Sequence, residues 1–366
     1  MKLKRLFTTT LAILATSPLL ADKCNPCDPC EQPDPCNECC PNFLSSCICD
    51  WSEGNNSWLV ESDWIYWKVR NCDLDYVIKG PSIVFPTVLD GDLHNVVPCR
   101  DGGFRVALFK GCGDCLRFGL RYTRYETNTH DSISIPEEET LFNVFPTRNF
   151  IGSSTFLLTA DSTYKMNLEI VDLLSSYLYR FDCTSLAIRP FTGVRIAFID
   201  QDLNTQYTYE GNGEDILGAD QSVNEAISMD AYGLMFGLDS EWNNLWCGLG
   251  LYGKFATTLS VTRFESSHLE TFNEFGNSNI VTTRHENVKE RQYLVIPSWE
   301  MAVGLDYQLC RLLCACWDIK LGYEFHSWCN LPNFIRIPTG SSSKKLVREK
   351  SDLRNDGLFL RLTGIF

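Results

Sequence analysis

The chain has 366 residues, with 32 Lys and Arg against 46 Asp and Glu and a formal net charge of -14. That acidic excess excludes the basic surface a nucleic-acid partner requires and suits solvated loops at a cell surface. Aromatic residues at 12% and a mean hydropathy of -0.13 suit a wall that alternates lipid-facing and water-facing side chains.

Lys2, Lys4 and Arg5 precede an apolar run from Leu11 to Leu20, and Ala21 offers a small residue for cleavage. This predicts a secretory signal peptide over 1–21, although Leu19 is an imperfect minus-three residue. Cys24 does not follow a lipobox-like run, so a lipoprotein is not expected. Its removal takes away three positive charges and no acidic one, moving the balance from -14 to -17. No later run reaches the roughly 18 apolar residues of a spanning helix.

Residues 22–56 are rich in Pro, Asp and Asn and cannot bury a core, which predicts a disordered, non-globular tail. Eight of the 18 cysteines crowd it: Cys24, Cys27, Cys30, Cys36, Cys39, Cys40, Cys47 and Cys49. Cys24-x-x-Cys27 with Cys36-x-x-Cys39 has the ligand types of a zinc site. An oxidising compartment favours disulfides over that site or over free thiols. No metal and no cofactor are expected. Crowded cysteines without a core to pair them point to intermolecular bridges.

From Ser57 the period is two. Trp58, Val60, Trp64 and Tyr66 share one face opposite Glu61 and Asp63; Phe104, Val106 and Leu108 oppose Arg105. After a turn at Gly111–Cys115, Phe118, Leu120 and Tyr122 oppose Arg117 and Arg121. Further strands are expected near 164–180, 185–199, 229–240, 246–263, 293–308 and 317–328. Connections alternate between short (near 111–115, 181–184, 241–245 and 309–316) and long (near 70–102, 126–162, 200–228, 265–291 and 329–354). Short periplasmic turns and long external loops are the plan of an outer-membrane barrel. The fold class is therefore all-β, with 57–366 forming a transmembrane antiparallel β-barrel. Ten strands are read directly; hairpins hidden near 73–79 and 141–146 would raise the number as far as sixteen.

The last strand is the strongest single pointer. Leu358, Leu360, Leu362 and Phe366 fall on one face, Arg361 and Thr363 on the other, and the chain stops on an aromatic residue. A closing strand leaves no unpaired edge in lipid. This end resembles the assembly signal read by the barrel-assembly machinery, with Phe366 as its terminal residue; Gly364 departs from it, standing where a bulky residue is usual.

Alternation places Arg105, Arg117, Arg121, Arg189, Arg195, Lys254, Glu300, Lys320, Glu324 and Arg361 on the lumen wall, together with Glu61, Asp63, Glu169 and Asp306. Separated rows of opposite sign would orient polar solutes; paired charges would instead fill a narrow barrel. No catalytic residues are identified. Gly248-Leu249-Gly250-Leu251-Tyr252-Gly253 matches a dinucleotide-binding glycine pattern, but it lies in a strand with no helix after it. The five histidines have no metal-ligand spacing.

Trp64-Ile65-Tyr66-Trp67-Lys68 followed by Asp73-Leu74-Asp75-Tyr76 resembles the opening strand of the major outer membrane proteins of Legionella and of environmental chlamydiae. Gly103–Val106 and Arg189–Arg195 with Asp200-Gln201 are similar to later segments of that family, and Cys27-Asp28-Pro29-Cys30 resembles the chlamydial cysteine-rich segment. The resemblance implies a porin-like barrel in the bacterial outer membrane, passing small hydrophilic solutes and building a disulfide-linked envelope. The alternative is a non-conducting adhesin or structural barrel. Expected partners are outer-membrane lipid, the assembly machinery, further copies or other cysteine-rich envelope proteins, and a host surface; nucleic acid is not expected.

Overall fold

A computed structural model describes residues 57–81, 91–112, 115–135, 139–144, 155–181, 185–211, 216–246, 248–276, 280–312, 315–335 and 349–366. The predicted signal peptide and tail, with Cys24, Cys27, Cys30, Cys36, Cys39, Cys40, Cys47 and Cys49, lie outside the described residues.

Fourteen strands are described. In chain order they are β1 (Trp58–Arg70), β2 (Asp75–Pro81), β3 (Asp92–Asn95), β4 (Arg100–Cys112), β5 (Leu116–Ser134), β6 (Glu139–Asn143) and β7 (Thr155–Tyr177). They continue with β8 (Tyr179–Arg180), β9 (Leu186–Gly211), β10 (Ile216–Trp246), β11 (Leu249–Gly276), β12 (Ile280–Leu312), β13 (Ala315–Pro332) and β14 (Lys350–Ile365). Ten of them pair in a closed antiparallel ring, β1–β4–β5–β7–β9–β10–β11–β12–β13–β14 and back to β1. This is the low end of the expected ten to sixteen. The ring closes where Trp58 and Phe366 exchange backbone hydrogen bonds of 3.0 and 2.9 Å. Gly364 has a reason: a Cβ there would sit 3.1 Å from the Trp317 ring. That ring packs edge-on against Phe366, so a neighbouring indole covers the position a bulky residue would fill.

The outer surface is apolar over one band. Trp58, Val60, Trp64, Phe104, Leu108, Leu120, Leu234, Phe236, Phe255, Leu259, Val303, Leu321, Leu358 and Leu360 are all exposed there. Spanning takes about 9–11 residues per tilted strand, yet β9, β10, β11 and β12 run for 26, 31, 28 and 33 residues. The stretches 200–228 and 265–291, expected as long polar loops, are mostly these strands continuing beyond the lipid. The period of two persists through them, but its sense inverts. On β9 the outward residues change from Val194, Ile196 and Phe198 to Asp200, Asp202 and Asn204, while the buried face changes from Arg189 and Arg195 to Ile199, Leu203 and Tyr207. Outside lipid the wall is an ordinary half-buried sheet, apolar within and polar without. The same inversion corrects Glu169: it lies on the outer face, 4.0 Å from Arg124, because Met166, Leu168 and Ile170 beside it face inward.

The hairpins suspected near 73–79 and 141–146 do not add spanning strands. β2 and β6 pair with each other, β2 carries β3 on its other edge, and β6 joins β7 at Leu141 and Leu157. Gly248 takes the turn before β11 with φ 84°, which a side chain would resist.

Candidate functional site

The barrel interior is filled in layers. Toward the external side a dry cluster joins Leu74, Tyr76, Val77, Val96 and Leu141 from the folded-in segments to Tyr164, Leu203, Tyr207, Phe264, Trp328 and Phe334. Segment 71–77 crosses the interior, and its hydrogen bonds show how far it reaches. Asn71 donates to Gln201 on β9 at 2.9 Å. Tyr76 donates to Asp131 on β5 at 3.0 Å and its carbonyl accepts from Tyr207 on β9. Asp73 accepts from the Phe334 amide at 2.7 Å.

Below it lies a charged layer at the depth of the lipid band. Arg121 and Arg195 both clamp Asp172, at 2.7–3.0 Å. Arg195 also pairs with Glu300, which holds Lys254 at 2.8 Å. Arg105 bridges Asp63 at 2.8 Å and Glu324 at 3.1 Å, Arg361 grips Asp63 at 2.8 and 2.9 Å, and Trp67 donates to Glu324 at 2.9 Å. His326 stands between the halves, 3.4 Å from Glu300 and 3.6 Å from Glu324. Lys320 pairs with Glu241 and approaches Asp318 at 3.4 Å. Toward the short-turn rim a smaller apolar cluster of Leu59, Ala107, Phe109, Leu174, Phe191, Met235 and Ala256 completes the filling.

Three ion pairs are chords rather than neighbours, one of them Lys320 on β13 to Glu241 on β10 across β12 and β11. Arg195 on β9 reaches Glu300 on β12 across two intervening strands, as does Arg105 on β4 to Glu324 on β13. Chords of side-chain length require a narrow interior, as ten strands imply.

All ten predicted wall residues, Arg105, Arg117, Arg121, Arg189, Arg195, Lys254, Glu300, Lys320, Glu324 and Arg361, face this interior and are 9% exposed or less. The signs are interleaved in pairs rather than separated into rows. Arg117 stacks over Phe109 at 4.3 Å, and Arg189 and Arg117 both act on Glu241. Sequence reading missed Asp172, Trp67 and the course of segment 71–77 through the interior, whereas alternation places His326 on the face of Lys320 and Glu324. Asp172 was within reach: it continues the two-residue period of Tyr164–Ile170.

Above the lipid band, buried His268 lies 3.0 Å from Glu225 and 3.6 Å from Glu270. Burial alone would lower its pKa, but hydrogen bonds to Glu225 and Glu270 outweigh that and raise it to about 9. A raised pKa stabilises the fold fully below the unfolded value of 6.5 and loses that contribution as pH rises through about 9. Protease resistance of the external wall should therefore fall between those limits, and His268→Ala should flatten the profile.

A closed antiparallel barrel with an apolar outer belt and a polar interior at the same depth defines an outer-membrane β-barrel protein. Residues 52–366 match the family model of the Legionella pneumophila major outer membrane protein precursor, and the chain belongs to that family. It is located in the bacterial outer membrane. No curated protein matches the sequence. Among solved structures, the Escherichia coli outer membrane protease OmpT is similar at 10% identity over 84% of this chain and 95% of that one, with a TM-score of 0.37. A Pseudomonas aeruginosa FadL homologue aligns at 8% identity over 85% and 90%, TM-score 0.25. The Pseudomonas putida toluene transporter TodX aligns at 8% over 88% and 92%, TM-score 0.24. Overlaps this loose say nothing about what this chain does.

Proposed function

We propose that this protein is a structural barrel of the outer membrane that presents a tall wall at the cell surface and keeps its interior closed at rest. The observation that carries this reading is the pair of chords, Arg105–Glu324 and Arg195–Glu300, lying beneath the crossing segment 71–77. A solute would have to displace both layers. We assign it no reaction. A second reading, a porin for small hydrophilic solutes, is favoured by the charge of the inner wall: an inert filling would not need ten buried cations and carboxylates at lipid depth. Single-channel recording in planar bilayers separates the two. Steady conductance steps from the unmodified protein would support the porin; silence supports the closed barrel.

We further infer that the cysteine tail links the barrel to other copies or to cysteine-rich envelope proteins. Trp58, which opens β1, pairs with Lys110 at the rim where Cys112 is exposed. Non-reducing gels should show ladders that collapse with a reductant, and a monomer in both lanes would refute the link. Phe366 is proposed as the assembly signal. Its deletion should lower the yield of folded, heat-modifiable barrel several-fold, and unchanged yield would count against it. Host-surface attachment through the external loops is a further proposal, tested by loop deletion in an adhesion assay.

A further inference from the structure

On the outer face of β13, β14, β1 and β4 the lipid belt ends in a register row of Tyr323, Leu358, Tyr66 and Gly102. The next row outward is Phe325, Asp356, Lys68 and Arg100, and the one beyond it sets Arg354 of β14 against Arg70 of β1. β1 ends at Arg70 and β4 begins at Arg100, so these cations stand at the external tips of their strands. Four basic side chains thus share one patch at the lipid–water boundary of a chain whose net charge is -14. The acids around them are already engaged. Asp356 accepts from Arg70 at 2.5 Å and from Tyr323, Asp352 holds Arg354 at 2.9 Å, and Glu126 on neighbouring β5 is bonded to Arg124. Lys68 and Arg100 have no carboxylate within ion-pair distance among the described residues. On β11 and β12, by contrast, Arg263 and Arg291 share Glu265. Below the unpaired cations the wall forms a ledge. Trp64 and Tyr66 stack at 5.6 Å with their planes 12° apart. Gly102, beside Tyr66, leaves a notch in which a Cβ would meet only the Trp64 indole nitrogen, at 3.7 Å.

We propose that Lys68, Arg100 and the Gly102 notch dock a phosphate of the acylated, phosphorylated glycolipid of the outer leaflet. The phosphoryl group lies between the Lys68 ammonium and the Arg100 guanidinium, whose planar fork matches two of its oxygens. The sugar to which it is attached rests in the notch, and the acyl chains run down over Trp64, Tyr66 and Phe104. Two features of the patch argue for that occupant. It is continuous with the lipid belt and begins in the first register row beyond it, over an aromatic ledge of the kind that marks a membrane boundary. Its unpaired charges are also of one sign, so an anionic group satisfies them, whereas a cationic group would find every nearby carboxylate taken.

The test is native mass spectrometry of the full-length protein in detergent, titrated separately with bisphosphorylated lipid A and with the same glycolipid stripped of its phosphates. The unmodified protein should retain the phosphorylated form about tenfold better. Lys68→Gln with Arg100→Gln should erase that preference. Arg263→Gln with Arg291→Gln makes the same charge change on β11 and β12 and should leave the preference in place. Equal retention of the two glycolipids by the unmodified protein, or equal losses from the two double variants, would overturn the proposal. Displacement of the glycolipid by millimolar inorganic phosphate would also overturn it, because a site for the free anion owes nothing to the ledge. All four side chains are outside the barrel interior, so heat-modifiable migration on gels should be preserved.

Discussion

Unmodified protein reconstituted in planar bilayers should give no steady conductance steps, and two separate lesions should be needed before it does. The first obstacle is segment 71–77, held by Asn71–Gln201, Tyr76–Asp131, Tyr207 to the Tyr76 carbonyl, and the Phe334 amide to Asp73. The second is the charged layer, in which Arg195–Glu300 and Arg105–Glu324 cross the interior. Replacing residues 72–98 by a flexible Gly/Ser linker removes the first and leaves the second. Arg195→Ala with Glu300→Ala cuts one chord and leaves the dry cluster around Tyr164, Tyr207 and Trp328 in place. Each lesion alone should remain silent and the combination should conduct. Steps from the linker variant alone would mean that the charged layer passes ions as it stands, which would favour the porin reading.

Much of the membrane-level architecture could be read from the chain. All ten ring strands are visible as alternation, because a wall with lipid outside and charges inside writes both faces at once: Trp58, Val60 and Trp64 against Glu61 and Asp63, or Leu358, Leu360 and Leu362 against Arg361. The external half was not legible as strand. There the outward residues are Asp, Asn, Ser and Thr, which also make loops, and the inward ones include Thr205, Gln221 and Glu225 beside Leu203 and Val223. Composition resembling a loop concealed strand continuations of about a dozen residues each, 200–211 on β9, 216–228 on β10, 265–276 on β11 and 280–291 on β12. The crossing segment was hidden for another reason. Leu74, Tyr76 and Val77 look like one more short strand, and only the chain's return through the barrel mouth places Tyr76 against β5 and β9. The wall charges were legible residue by residue, but their pairing was not. Whether Arg105 meets Glu324 or faces an open channel depends on the diameter, which no local pattern encodes.

Arg105→Ala should be among the most destabilising single changes in the protein, at about 3–5 kcal/mol for breaking a buried pair. Arg105 is 3% exposed and serves two carboxylates, Asp63 at 2.8 Å and Glu324 at 3.1 Å. Removing it leaves Asp63 with Arg361, and Glu324 with Trp67 and His326, so the cost belongs at the lower end of that range. Arg354, half exposed and paired with Asp352 at 2.9 Å, is the internal control; Arg354→Ala should cost less than about 1 kcal/mol. Urea-driven unfolding of vesicle-reconstituted protein, followed by tryptophan fluorescence, measures both. Replacing the pair together, Arg105→Met with Glu324→Gln, should cost less than the sum of the single changes, because no charge is then stranded by the loss of its partner. Added salt should matter little to the Arg105 pairs, which are buried, while weakening the Arg354 pair. An Arg105→Ala cost no larger than that of Arg354→Ala would mean that water reaches and solvates this layer. The interior would then have to be read as a wet channel rather than a packed core.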